Sequence, residues 1–220
     1  MAVSETERQI FQRYGCKNTY VLGHAMAVSP GHTAFADRNG LLFVGRIEED
    51  AENPNFDSLI YFINNIFDRI LKVIPSLQLH IVGLCLAPTL EEINRKNIIL
   101  HGRVADTKPF YDQCRVFIAP TRFAAGIPLK LNEAAANGIP SVATPLLARQ
   151  LGWSNGTELL TAATAEEFAD SVIRLYNDPD LWLTVRNNSI KRVMHDCSPQ
   201  LFRNTVLNIV ASSIKSINIE

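Results

Sequence analysis

Apolar residues in this chain fall in two alternating patterns. Short, mostly apolar runs occur at 41–45, 77–83, 98–102, 116–120, 141–144 and 158–161, and they predict six strands. Between them apolar positions recur every three or four residues. The longest such stretch, 56–74, places Leu59, Phe62, Ile63, Ile66, Ile70 and Ile74 on one helical stripe. Shorter helices are predicted at 90–94, at 106–113 behind an Asp106 cap, and at 129–137, where Gly138 and Pro140 end the helix. After Thr164 the chain turns helical. Thr164, Asp178-Pro179 and Ser198-Pro199 open three helices, ending near 177, 195 and 213. Runs 23–40 and 48–55 read as loops.

Strands that are mostly apolar, rather than cleanly alternating, suit a parallel sheet covered on both faces. Strand–helix alternation then implies right-handed crossovers. The expected fold is α/β: a doubly wound, Rossmann-like parallel sheet of about six strands with C-terminal helices. The strands run out into Gly45, Gly83, Gly102, Pro120 and Thr144. Residues of this kind either make the turns or leave room for a ligand in the crevice at the carboxyl ends.

Composition narrows the function. At 220 residues, 47% hydrophobic and 20% charged, the chain allows one domain with additions and a sizeable core. A net charge of −1 with no basic stripe argues against nucleic acid as a partner. Cys16, Cys85, Cys114 and Cys197 are scattered without metal-ligand spacing, so reduced thiols, a cytoplasmic location and no bound metal are expected. No apolar stretch reaches bilayer length, and the opening MAVSETERQIF lacks a signal-peptide core. Arg186, Lys191, Arg192 and His195 form a mildly basic helical face, read either as solvated surface or as a peripheral membrane contact. His24, His80 and His101, Cys114, Trp153 and Trp182 read as structural residues.

The chemistry concentrates in 122–140, RFAAGIPLKLNEAAANGIP. A buried strand feeds a loop containing Gly126, and the loop opens a short helix at Leu129. Free N–H groups and the helix dipole make such a helix start an anion site. Lys130 lies in that first turn, where the dipole disfavours a cation. It is either a solvated lysine or the partner of a bound diphosphate. Glu133 either complements the dipole or accepts hydrogen bonds from a vicinal diol. Arg46, just past Gly45 at the end of the first strand, offers a fork for phosphate.

The strand, Gly-containing loop, helix and GIPSVAT that follows resemble the donor-binding half of the group 1 glycosyltransferases. LLFVGR at 41–46, PNFDSL at 54–59 and the stretches 98–103 and 109–120 extend the resemblance. It implies one half of a two-domain GT-B fold and transfer of a hexose from a UDP- or GDP-linked donor to an acceptor hydroxyl, with retention. Gly45, Arg46, Gly126, Leu129 and Lys130 would hold the diphosphate, Glu133 the ribose, and Arg103 and Val104 the base. Two positions depart from the pattern. Ala125 stands where the family's first glutamate contacts the sugar, and Glu48-Glu49-Asp50 stand near an expected lysine. Residues 1–40 would be the lead-in from an acceptor domain, 41–195 the donor domain and 196–220 a terminal helix. The acceptor wall would come from that domain or from a partner subunit, and the chain alone is expected to be inactive. The catalytic residues are not assigned. A non-catalytic sugar-nucleotide or partner-binding module and a sugar-nucleotide epimerase are the alternatives.

Overall fold

The computed structural model describes residues 1–93 and 95–217. Asn94, the expected end of one short helix, lies outside them. In chain order the elements are α1 (Glu5–Arg13), a 3₁₀ turn (Phe35–Asp37), β1 (Leu41–Val44), β2 (Ile47–Glu48), α2 (Pro54–Tyr61), a π-helical turn (Phe62–Phe67) and α3 (Asp68–Val73). Then come β3 (Leu79–Val82), β4 (Cys85–Leu86), α4 (Pro88–Glu91), β5 (Ile98–Gly102), α5 (Lys108–Gln113), β6 (Val116–Ala119) and α6 (Leu129–Ala136). The chain continues through β7 (Ser141–Ala143), α7 (Pro145–Leu151), β8 (Leu160–Thr161), α8 (Ala165–Asn177), α9 (Pro179–Asp196) and α10 (Pro199–Ile217).

The six expected strands form one parallel sheet in the order β5-β3-β1-β6-β7-β8. The order reverses between β1 and β6, which is where open α/β sheets leave a crevice. Alternate residues of each strand enter two cores. Leu41, Phe43, Val116, Ile118 and Val142 join the long α2–α3 helix and α8 on one face. Leu42, Phe117, Ala119 and Ala143 join α5, α6 and α7 on the other. This double burial is why the strands read as mostly apolar runs.

Four features differ from the sequence expectation. The helix expected at 56–74 is one helical path interrupted by the π turn, which gathers Phe62, Ile63, Ile66 and Phe67 into the core. A wider turn narrows the arc over which side chains at i, i+1, i+4 and i+5 spread. β2 and β4 pair only two residues each, too short for any periodicity to reveal. α7 was not foreseen, though Pro145 in its first turn and Gly152 at φ 66 mark its ends. α1 was read only as lead-in, yet Ser4 caps it by accepting from the Glu7 N–H, while Glu7 accepts from the Val3 N–H.

The lead-in 23–40 is fastened to the sheet domain. Arg38 is fully buried and donates to the carbonyls of Thr33, Tyr111 and Cys114 and to Asp112. Asp112 also accepts from the N–H and hydroxyl of Thr33. Of the basic face on α9, Arg186 is spent on the carbonyls of Gly138 and Gly31, and Arg192 pairs with Asp196.

Candidate functional site

At the carboxyl end of β1 the chain makes a close crossing. Gly83, at φ 130, lies so near Gly45 that a Cβ there would sit 2.0 Å from the Gly45 carbonyl oxygen. Only glycine fits such an approach. The next contact is the Asn55 side chain on α2. A Cβ on Gly45 would meet its amide nitrogen at 2.9 Å. Asn55 donates from Nδ2 to the Arg46 carbonyl at 2.8 Å, and its Oδ1 accepts from the Lys130 ammonium. One amide thus joins Gly45, Arg46 and Lys130, residues from the first strand end and the first turn of α6. Asn53, the cap of α2, holds Asn55 in place by accepting from the N–H groups of Asn55 and Phe56.

Lys130 is partly buried over the Phe43 ring, 5.0 Å from its centroid. Burial lowers its pKa to about 8. Among the described residues, its hydrogen-bond partner is the neutral Asn55. The two neighbouring arginines are already neutralised. Arg46 donates from Nε to Glu48 at 2.7 Å, and Arg122 forks onto Asp57 with its guanidinium over Tyr61. A partly desolvated ammonium with no carboxylate partner, set at a helix start, is what an added anion would stabilise most.

Glu133 lies one turn along α6 from Lys130, on the same face. It is half-buried, and burial raises its pKa, opposed by the nearby Tyr111 hydroxyl. Tyr111, on α5, is fully buried, and its phenol is pushed upward first by burial and then by Glu133. That hydroxyl completes no hydrogen bond of normal geometry. Tyr111 and Asn55 are the residues that sequence reasoning missed. Asn55 carried a signal, because it stands in the PNFDSL stretch at a helix start; Tyr111 carried none.

The remaining expected residues are placed less centrally. Leu129 is exposed, and its N–H, expected as a phosphate donor, bonds the Ile127 carbonyl at 2.9 Å. Arg103 is exposed past β5, two strands from β1. Val104 packs on the same core cluster as Val44 and Tyr111. Gly126, at φ 81, lines a cavity of about 430 Å³ together with Ala125, Ile127 and residues of α1 and α7. A larger cavity of about 520 Å³ lies behind Ile127, against α10. Neither cavity is lined by Arg46, Lys130 or Glu133. Among the described residues no three His, Cys, Asp or Glu side chains converge as metal ligands, and no helix is long and apolar enough to cross a membrane.

The family model for "Glycosyl transferases group 1" matches residues 38–178. A Klebsiella pneumoniae protein described as an uncharacterized 44.6 kDa protein in the cps region is 27% identical over 142 residues, covering 60% of this chain and 36% of that one. Among solved structures, S. aureus TarM, in complex with fondaparinux, alpha-GlcNAc-glycerol and UDP, superposes with a TM-score of 0.77 at 16% identity, over 94% of this chain and 43% of TarM. Anabaena HepE with UDP and glucose gives 0.76 at 15% identity, over 96% and 62%. Sucrose-phosphate synthase from Thermosynechococcus elongatus gives 0.74 at 16% identity, over 98% and 58%. The chain therefore spans less than two thirds of the length of each of these relatives.

Proposed function

This chain belongs to the group 1 glycosyl transferases, and from that premise we propose that it is the donor-binding half of a retaining enzyme, holding a UDP- or GDP-linked hexose. One observation carries the reading: a partly buried Lys130 ammonium at the start of α6, without a carboxylate partner among the described residues and tied through Asn55 to the Gly45-Arg46 strand end. Lys130 and Arg46 take the diphosphate, and Glu133, one turn further on, takes the ribose hydroxyls. The UDP complexes of TarM and HepE support this choice of ligand. Arg103 and Val104 take the base.

In the reaction an acceptor hydroxyl oxygen bonds to the sugar's anomeric carbon. The bond from that carbon to the diphosphate oxygen breaks, its electron pair stays on that oxygen, and the hydroxyl proton passes to the departing phosphate. Negative charge grows on the departing phosphate, where Lys130 and Arg46 stabilise it. Arg46 must first leave Glu48. The acceptor wall comes from a further domain or a partner subunit, because a cleft reaction needs both walls to orient reactants and exclude water. With free cysteines throughout the described residues, we place the protein in the cytoplasm.

Ala125 favours a second reading, a sugar-nucleotide-binding module without catalysis, because a methyl group cannot replace a carboxylate toward sugar hydroxyls. A thermal-shift screen against UDP, GDP and their sugars tests the common part, since a ligand at 100-fold its dissociation constant adds about 2.7 kcal/mol. No shift with any of them rejects both readings. Sugar transfer measured with and without the acceptor-side partner then separates them, and the chain alone is expected to show none.

A further inference from the structure

A helix that follows a strand in a parallel α/β unit starts near that strand's carboxyl end. The first turns of α2 therefore lie at the edge where β1 and its neighbour β6 both end. Residues 120–128, which join β6 to α6, run along the same edge. The middle of this loop is poorly covered, with Phe123, Ala125 and Gly126 exposed. Such a stretch keeps one conformation only if side chains of neighbouring elements hold it, because ordering a backbone is opposed by its entropy.

The helix α2 supplies two holds, one at each end of the loop. At the entrance, Arg122 forks onto Asp57, donating from Nε at 2.9 Å and also from Nη2, and its guanidinium lies 4.7 Å from the centre of the Tyr61 ring. The Asp57 side chain is only 16% exposed, so this pair is better shielded than an ordinary surface ion pair. At the exit, the Lys130 ammonium donates to Asn55, which itself donates to the Arg46 carbonyl. The β1 end, α2 and the start of α6 are thus tied together. Other elements hold the far side of the loop: Thr144 donates to the Thr121 carbonyl and Gln150 to the Ala124 carbonyl. A loop ordered before its ligand arrives binds it with less entropy left to lose.

We propose that Asn55 and Asp57 are positioning residues for the donor site, which pin the two ends of the β6–α6 loop so that Lys130 and the loop backbone stand in place for a diphosphate. The inference rests on the donor-binding reading and adds to it two residues that act through Lys130 and Arg122. Asn55 also leaves the ammonium available, because a neutral amide holds a cation without cancelling its charge. Of the charged side chains around Lys130, Arg46 pairs with Glu48, Arg122 pairs with Asp57, and Glu133 lies by Tyr111. A carboxylate at position 55 would spend that ammonium.

The test uses the whole chain, UDP as the probe, and the isosteric changes Asp57→Asn and Asn55→Asp. Asp57→Asn should lower the backbone order parameters of Phe123–Ile127 from about 0.85 to below about 0.6. It should also weaken UDP about fivefold, and Asp57→Glu should recover part of both losses. Asn55→Asp should weaken UDP about tenfold at neutral pH. It should also carry the fall in affinity above pH 8 to higher pH, because the new carboxylate keeps Lys130 protonated. A merely structural role for Asn55 would leave that pH dependence where it was. The proposal is overturned if loop order is unchanged in Asp57→Asn, if both variants bind UDP as the unaltered chain does, or if the pH dependence of Asn55→Asp does not move. Failure of the donor-binding reading looks different. UDP then binds none of the proteins, the unaltered chain included, and loop order in Asp57→Asn still decides whether α2 positions the loop.

Discussion

Replacing Lys130 with methionine removes one charge and keeps the length of the side chain. In the unliganded chain the lost contacts are one hydrogen bond to Asn55 and the approach to Phe43. The desolvation that lowers the lysine to about pH 8 is relieved at the same time, so stability should change little. Nucleotide binding should change much more. A hydrogen bond to a charged group contributes about 1.5–3 kcal/mol, so UDP affinity should fall about 10- to 100-fold. The pH profile adds a second reading of the same residue. Its folded pKa is below the unfolded value of 10.5, so the free protein gives up this proton near pH 8, before the unfolded chain does. A bound diphosphate holds the proton in place. Affinity should therefore be flat below pH 8 and decline above it, by up to ~30-fold at pH 9.5. In Lys130→Met this decline should vanish, because Arg46 stays charged throughout. Isothermal titration of UDP into both proteins across that range measures both effects. Equal affinities at pH 7, or an undiminished decline in the variant, would refute the role given to Lys130.

Other substitutions probe the surrounding residues. Burial raises the Glu133 pKa above its unfolded value, so the ionised form costs stability at neutral pH and the cost disappears as pH falls below the unfolded pKa. Glu133→Gln should therefore raise Tm at pH 7 while weakening UDP roughly tenfold or more, read by calorimetry and titration. Glu48→Gln should release Arg46 and tighten UDP by up to about fivefold, the limit set by an exposed ion pair of about 1 kcal/mol. Arg38→Met should strand the Tyr111 and Cys114 carbonyls and remove one of the three hydrogen bonds that Asp112 accepts, costing about 3–5 kcal/mol and lowering Tm by roughly 6–20 °C in a thermal melt.

The sheet was legible because burial on both faces leaves an unmistakable mark. β1 and β6 carry no polar residue to interrupt the run, and the expected strand at 77–83 needed only trimming to Leu79–Val82. The short strands were not legible. β2 and β4 are held by one another, and two residues have no period. Arg46, Lys130 and Glu133 could be proposed from local pattern and family resemblance, because a strand end and a helix start are where an anion fits. The partner of Lys130 could not. Asn55 is 75 positions away in the sequence, and nothing in either segment says that they meet. The Tyr111 hydroxyl beside Glu133 is hidden for the same reason. It is a product of packing between distant segments, and each residue alone looks like an ordinary member of an amphipathic helix.

A crystal structure of the chain soaked with UDP tests the central claim most directly. The account predicts the β-phosphate against the Lys130 ammonium, with Arg46 swung from Glu48 onto the same phosphate and the ribose hydroxyls on Glu133. UDP seated in the larger cavity against α10, or bound with Lys130 still held only by Asn55, would contradict it.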